Sequence, residues 1–428
     1  MSLKKILFNI YKVLNLLLCI LLLLLGYNYY TGIFLTFLLI TLVCVLIIRS
    51  YLQKNNICLI IFIYIFIYTY VFIYPFILDY KIAVYTDFMD NKYLYKSGCL
   101  FFIFLSTLNF FIKIPKQNDI KIIQSHNNTL IFIINFIIAI FCMIRGKTGE
   151  MILVDGYGNT INEKNSLTEY FLIFFVVCLI FSKGARYKKI ALYVLAMVFC
   201  MRNILYGGRI EIVMLGICLF LWYFQFKIKN KSIILYSIFA FYCFSVFGSI
   251  RKNPLIWLSD EWYRMLIPQF VNTSHIIVNQ EGDINYAASR MIGMVDDGVI
   301  NFSDRCTSLF YFIVSIITPR SNLPPIAILA SYNNHIFPTG GGGLITGYFY
   351  IYFSYIGVFF IAFFLSKVLS DYRKFNTSSF YCIYTYMIVC TIPRWFAYDP
   401  ITMFKLSLYG AIISYFFICI DYTVKKCH

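Results

Sequence analysis

Charge is scarce in this chain, and acidic charge is scarcest. Only 13% of its 428 residues are charged, and 19 Asp and Glu stand against 36 Lys and Arg. With 61% hydrophobic residues, a soluble domain could not hide the apolar surface. Metal-binding patterns are missing as well. No Asp-x-Asp occurs and no His or Cys cluster has ligand spacing, so neither a metal nor another cofactor is expected. Gly146-Lys147-Thr148 resembles the end of a phosphate-binding loop, but Phe141 stands where the upstream glycine belongs. An ATP-driven mechanism is therefore not expected. Cysteine is plentiful at 14, yet most lie inside apolar runs, where cysteine behaves as a small hydrophobe. Cys306 alone sits well inside the long polar stretch, so no disulfide is expected there.

What is abundant is long apolar runs. Runs of about 17–25 apolar residues are the signature of transmembrane helices. Lipid offers the backbone no partners, so such runs bond within themselves as helices. The alternation of barrel strands is not seen. The expected fold class is all-α: a polytopic membrane protein with about twelve transmembrane helices and one large outer loop containing short helices. The spans are placed at 6–25, 31–48, 57–78, 98–114, 129–144, 168–183, 188–206, 209–226, 232–248, 343–366, 379–393 and 402–420. The first follows Lys4 and Lys5, lacks a small-residue cleavage site and reads as an anchor. With the N-terminus inside, 20 cations and three acids fall on the cytoplasmic side, which then carries the whole net charge of +17. This is the positive-inside pattern, and it predicts that both termini are cytoplasmic. Anionic lipid accounts for the charge, and nucleic acid is not needed.

The hydropathy pattern breaks for long only at Ser249–Gly340. The chain thus divides into spans one to nine (1–248), a large outer loop (249–340) and spans ten to twelve (341–428). Within the loop, 308–318 is apolar but too short to span, and a re-entrant or interfacial helix is expected. Trp257, Trp262 and Tyr263 near its start suit the membrane interface. The cytoplasmic links use mostly lysine, whereas the outer links from Arg202 onward use arginine: Arg202, Arg209, Arg251, Arg290, Arg305, Arg320 and Arg394. The forked guanidinium suits phosphate and carboxylate, so these are candidate diphosphate ligands; the alternative is pairing with the loop's own acids. Arg202 and Arg209 flank Gly207 and Gly208, where backbone can come close to a ligand. Glu211 lies one turn into span eight and is either a base or half of a structural pair with an arginine. His335 is the second candidate base, or else an exposed loop histidine; His275 reads more readily as structural. Gly340–Gly343, with Gly341 and Gly342 at its centre, makes an anion-binding nest or a hinge in which Gly343 and Gly347 pack closely. Asp296-Asp297 is a candidate catalytic or metal pair.

Two stretches carry a resemblance: Gly207-Gly-Arg-Ile-Glu211 opening a span, and Thr339 to Gly357 opening the span after the loop. With the twelve-span plan and the late outer loop, they resemble the Wzy family, the repeat-unit polymerases of O-antigen and capsule. The resemblance implies en bloc glycosyl transfer at the outer face of the bacterial inner membrane. Its substrates would be oligosaccharides linked to polyprenyl diphosphate, its base Glu211 or His335, its partners membrane lipid, a chain-length regulator and a flippase. O-antigen ligases share the plan, often with a His near the end of the loop. A transporter is the competing class, for which intramembrane charge and broken helices would speak. A non-catalytic assembly protein is a third reading.

Overall fold

A computed structural model describes residues 3–84, 87–88, 90–115, 123, 125–149, 151, 162–164, 166–224, 227–252, 260, 263, 276–277, 280–319, 322–337, 342–371 and 379–427. In chain order the elements are α1 (Leu3–Leu25), α2 (Tyr29–Leu52), α3 (Asn56–Thr69), α4 (Ile73–Ile77), β1 (Lys81–Val84), β2 (Asp87–Phe88), α5 (Asn91–Phe111), α6 (Thr129–Arg145), β3 (Lys147–Gly149), β4 (Asn162–Lys164) and α7 (Leu167–Ile180). There follow α8 (Arg186–Leu205), α9 (Ile210–Tyr223), α10 (Asn230–Lys252), β5 (Ile276–Ile277), α11 (Gln280–Asp296), α12 (Phe302–Val314), α13 (Leu329–Ile336), α14 (Ile345–Asp371), α15 (Ser379–Cys390), α16 (Ile392–Trp395) and α17 (Ile401–Cys427).

Each stretch expected as a span contains helix among the described residues. Among the described residues six helices are long and apolar enough to cross a membrane: Tyr29–Leu52, Asn56–Ile77, Asn91–Phe111, Asn230–Gly248, Ile345–Ser370 and Ile401–Lys426. The chain is an all-α membrane protein. Asparagine opens four of the chain's helices, α2, α3, α6 and α12. Asn28, Asn55, Asn128 and Asn301 each accept a first-turn N–H, at 2.8, 2.9, 3.2 and 2.9 Å. Each such cap is worth about 1 kcal/mol. The fourth stretch, expected at 98–114, begins earlier, because Asp90 caps α5 at the Lys92 N–H. The span from Asn56 tightens into a 3₁₀ turn at Tyr70–Phe72. Pro75 in α4 has no N–H to offer the turn before it.

The described chain forms two compact units. Unit 1 is Met1–Asp119, Phe270–Arg373 and Arg394–Ile401; unit 2 is Ile120–Gln269, Lys374–Pro393 and Thr402–His428.

In unit 1, α5 is the central helix, packed by α1, α2, α11 and α14. Phe101, Phe102 and Phe104 are fully buried, as are Tyr286, Tyr348 and Phe72, whose ring lies against Phe101. β1 pairs with β2 and, in parallel, with β5, which ties the link after α4 to the polar stretch before α11. The expected close packing at Gly343 and Gly347 is present. A β-carbon at Gly343 would stand 2.8 Å from the Ala288 backbone nitrogen, and one at Gly347 3.2 Å from Ala288 Cα. The expected short helix of the loop is α12, set earlier than 308–318 because Asn301 and Asp304 form a capping box. Phe302, Phe310 and Ile313 leave one face of it apolar and exposed.

Unit 1 also contains a broken helix. In α14, Phe353 and Ser354 leave the helical region, and Ser354 has φ 54°. The break frees backbone carbonyls, and Arg305 of α12 takes them. Its Nε donates to the Ile351 carbonyl at 2.6 Å and its Nη2 to the Ser354 hydroxyl at 2.7 Å.

In unit 2, α6 packs on α7, and α9 packs on α7, α8 and α15. Phe171 stacks on Phe199 with centroids 3.8 Å apart. The Tyr386 hydroxyl donates to the Cys218 carbonyl at 2.6 Å and joins α15 to α9. Near the end of α17, Asp421 accepts from Lys425 at 2.5 Å, from Asn128 at 3.0 Å and from His126 Nδ1 at 3.1 Å.

Candidate functional site

The expected site residues fall in both units. Arg202, Arg209 and Glu211 belong to unit 2, while Arg290, His335, Gly342 and Arg394 belong to unit 1. Arg320, Gly341, His275, Trp257, Trp262 and the side chain of Arg251 lie outside the described residues.

In unit 2 the turn from α8 to α9 does gather charge. Gly207 there has φ +71°, a conformation that favours glycine. Arg202, in the last turn of α8, donates through Nη2 to the carbonyls of Ile144 and Lys147, at 2.8 and 2.7 Å. It lies 5.1 Å from the Tyr206 ring centroid. Arg209 stacks at 4.6 Å on Phe244 of α10. Glu211 is buried at 3% exposure, and Lys147 Nζ lies 4.0 Å from its Oε2. Gly208 does permit a close approach, but the groups that use it are the protein's own. Lys147, Asn203 and Glu211 all meet the spot where a β-carbon would stand.

Lys147 was set aside in the sequence, yet its ammonium reaches Glu211. The signal was the Gly146-Lys147-Thr148 triplet at the end of an apolar run, which failed as a phosphate loop for want of a glycine. Glycine is needed at 146 for another reason: its β-carbon would strike the side chain and backbone of Thr168, whose hydroxyl donates to the Gly146 carbonyl.

In unit 1, Gly342 and the Arg394 link meet. A β-carbon at Gly342 would collide with the Tyr398 carbonyl, which also accepts the Tyr348 hydroxyl. Arg394 stacks at 5.5 Å on the Tyr398 ring, and its own carbonyl accepts the N–H of Asp399 at 3.0 Å. Arg290 of α11 bonds the Tyr286 hydroxyl at 3.0 Å and stacks at 4.6 Å on Phe337. His335, two residues before Phe337, is exposed in the last turn of α13. Glu281 is buried at the start of α11, 9% exposed.

Asp296 and Asp297 are engaged within the fold. Asp296 pairs with Lys96 at 2.6 Å and accepts the Tyr350 hydroxyl at 2.8 Å, while Asp297 accepts the Tyr93 hydroxyl. Together they clasp α11 to α5 and α14. Arg305, one of the outer arginines, is likewise engaged, at the break in α14. Among the described residues no group of three or more His, Cys, Asp or Glu is placed to hold a metal ion.

No family model, no curated protein and no solved structure matches the chain. A functional reading therefore rests on the chemistry of these residues.

Proposed function

We propose that this chain is a membrane glycosyltransferase that polymerises lipid-linked oligosaccharide repeat units at the outer face of a bacterial inner membrane. The observation that carries this reading is the charge at the α8–α9 turn. Lys147 lies 4.0 Å from the carboxylate of Glu211, Arg202 bonds the Lys147 carbonyl beside Tyr206, and Arg209, two residues before Glu211, stacks on Phe244, so the turn carries three cations and one acid. That excess suits a diphosphate. In this reading the six long helices, the five shorter apolar ones and α8 make twelve crossings, with both termini cytoplasmic.

The transfer has a simple balance. A hydroxyl oxygen of the acceptor sugar attacks the anomeric carbon of the growing glycan. The bond from that carbon to the diphosphate oxygen breaks, and its electron pair leaves on the diphosphate. Arginines stabilise this charge as it develops. The hydroxyl proton passes to a base, Glu211 or His335. The test is the surface-polysaccharide profile of a deletion strain complemented with variants. Arg209→Ala and Arg320→Ala should collapse the polymer ladder to a single repeat on its anchor while the protein inserts normally. A full ladder from both variants would sink the arginine part of the reading.

A transporter is the second reading, and the broken helix α14 favours it, since discontinuous helices line transport sites. Loss of even the single anchored repeat in the deletion strain would point there, or to a ligase.

A further inference from the structure

The helix α12 presents three faces. Arg305, Ser308 and Phe312 share one side; Ser308 and Phe312 are buried, and Arg305 bonds the break in α14. Phe302, Cys306, Phe310 and Ile313 share a second side, apolar and exposed. Ser303 and Thr307 share a third, polar and exposed. At about 100° per residue the three sides lie roughly 120° apart. A helix lying on a protein in water needs only a buried face and a polar one. A separate apolar face calls for a third surrounding. The two charged residues of α12 both stay off that face: Asp304 accepts the Asn301 N–H at 3.1 Å, and Arg305 is held at the break.

The placement of α12 tells what the third surrounding is. Its anchors Arg305 and Phe312 are seven residues apart, about 10 Å of helix rise. Arg305 meets Ile351 and Ser354, while Phe312 meets Phe349 and Tyr352 with ring centroids 6.4 and 5.0 Å away. Along α14 the two sets are shifted by only two residues, about 3 Å of rise. So α12 lies across α14 and not alongside it. Both sets fall within about three turns of the start of α14, a helix long and apolar enough to cross a membrane. Just beyond them Ile356 and Phe360 of α14 are exposed, as on a lipid-facing helix. A helix set across a spanning helix near its end runs in the plane of the membrane, at the boundary of headgroups and acyl chains.

We propose that the lipid bilayer is the partner of this face. α12 is an in-plane helix with α14 at its side, water over Ser303 and Thr307, and Phe302, Phe310 and Ile313 among the acyl chains. The same seat holds Arg305 at the break, so lipid contact on one side of α12 keeps α14 divided on the other. This seat requires only that α14 span the membrane, and it is the same in a transferase or a transporter.

The test puts a dansyl amino acid in place of one residue of the full chain in lipid nanodiscs. In place of Phe310, its emission should be lost to lipids that carry a nitroxide high on the acyl chain and spared by aqueous iodide. In place of Thr307 the order should reverse. Iodide quenching as strong at 310 as at 307 would overturn the proposal. Protection from both quenchers at 310 would overturn it too, since protein would then cover the face. Where the chain with dansyl at 310 fails to insert, the same reading is taken in place of Ile313. Amide exchange tests the link to the break. Phe310→Asp, whose carboxylate the acyl chains exclude, should speed exchange at 351–354 and leave the rest of α14 beyond 358 at its wild-type rate. Phe310→Ser serves where the aspartate variant does not insert. Unchanged exchange at 351–354 in a variant that inserts would overturn the link.

Discussion

In unit 1 the Lys96–Asp296 pair leaves 23% and 20% of its side chains exposed, whereas in unit 2 the carboxylates of Asp421 and Glu211 are 1% and 3% exposed. The difference is one of desolvation. A half-covered pair keeps most of its hydration whether or not it forms, so its net contribution is small. A covered carboxylate has given up its hydration and depends on its partners, so removing one side is costly. Unit 2 therefore concentrates its polar sensitivity in two buried clusters, and unit 1 spreads its own over clasps and packing. The contrast can be broken at three points.

The largest effect is expected at Asp421. Asp421→Ala strands His126 and Asn128 and should lower stability by about 3 kcal/mol, read as the loss of monodisperse protein after heating in detergent. A loss under about 1 kcal/mol would erase the contrast between the units. Arg305→Met comes next. It frees the Ile351 carbonyl and the Ser354 hydroxyl and should cost about 2 kcal/mol, with faster amide exchange around residues 350–358. Unchanged exchange there would mean that the break in α14 stands without its arginine. Lys96→Met should cost least, below about 1 kcal/mol, and less again at high salt. A salt-independent loss of the size expected for Asp421 would place the clasp among the buried pairs.

Much of this fold was legible in the sequence, and the limits have physical causes. Hydropathy located the six described helices that are long and apolar enough to cross a membrane, because lipid-compatible helices must be continuous in sequence. It could not find the break at Phe353–Ser354. The run from Ile345 has no proline, and the break is stabilised by Arg305, about fifty residues upstream. Charge counting pointed to Arg202, Arg209 and Glu211, which the structure does place on one turn. It could not pair Glu211 with Lys147, because that contact crosses 64 residues of chain and two helices. Asp296-Asp297 was read as a possible catalytic pair on adjacency alone. Its partners Tyr93, Lys96 and Tyr350 become visible only when α11 lies across α5 and α14. The run after Thr339 left a nest and close packing open. Ala288 shows that Gly343 and Gly347 are used for packing, and Gly342 meets the Tyr398 carbonyl.

The composition of unit 1 has a consequence for biosynthesis. Its opening segment ends at Asp119, but Arg394–Ile401, which brings Phe396 against Tyr64, Phe101 and Phe104, emerges from the ribosome nearly three hundred residues later. At about 5–20 residues per second the earliest helices wait roughly half a minute for the segment that completes their aromatic core. Through that interval they lie in the bilayer with part of their packing surface bare. The nascent chain is thus most open to mispairing and to quality-control proteases before its last helix is made.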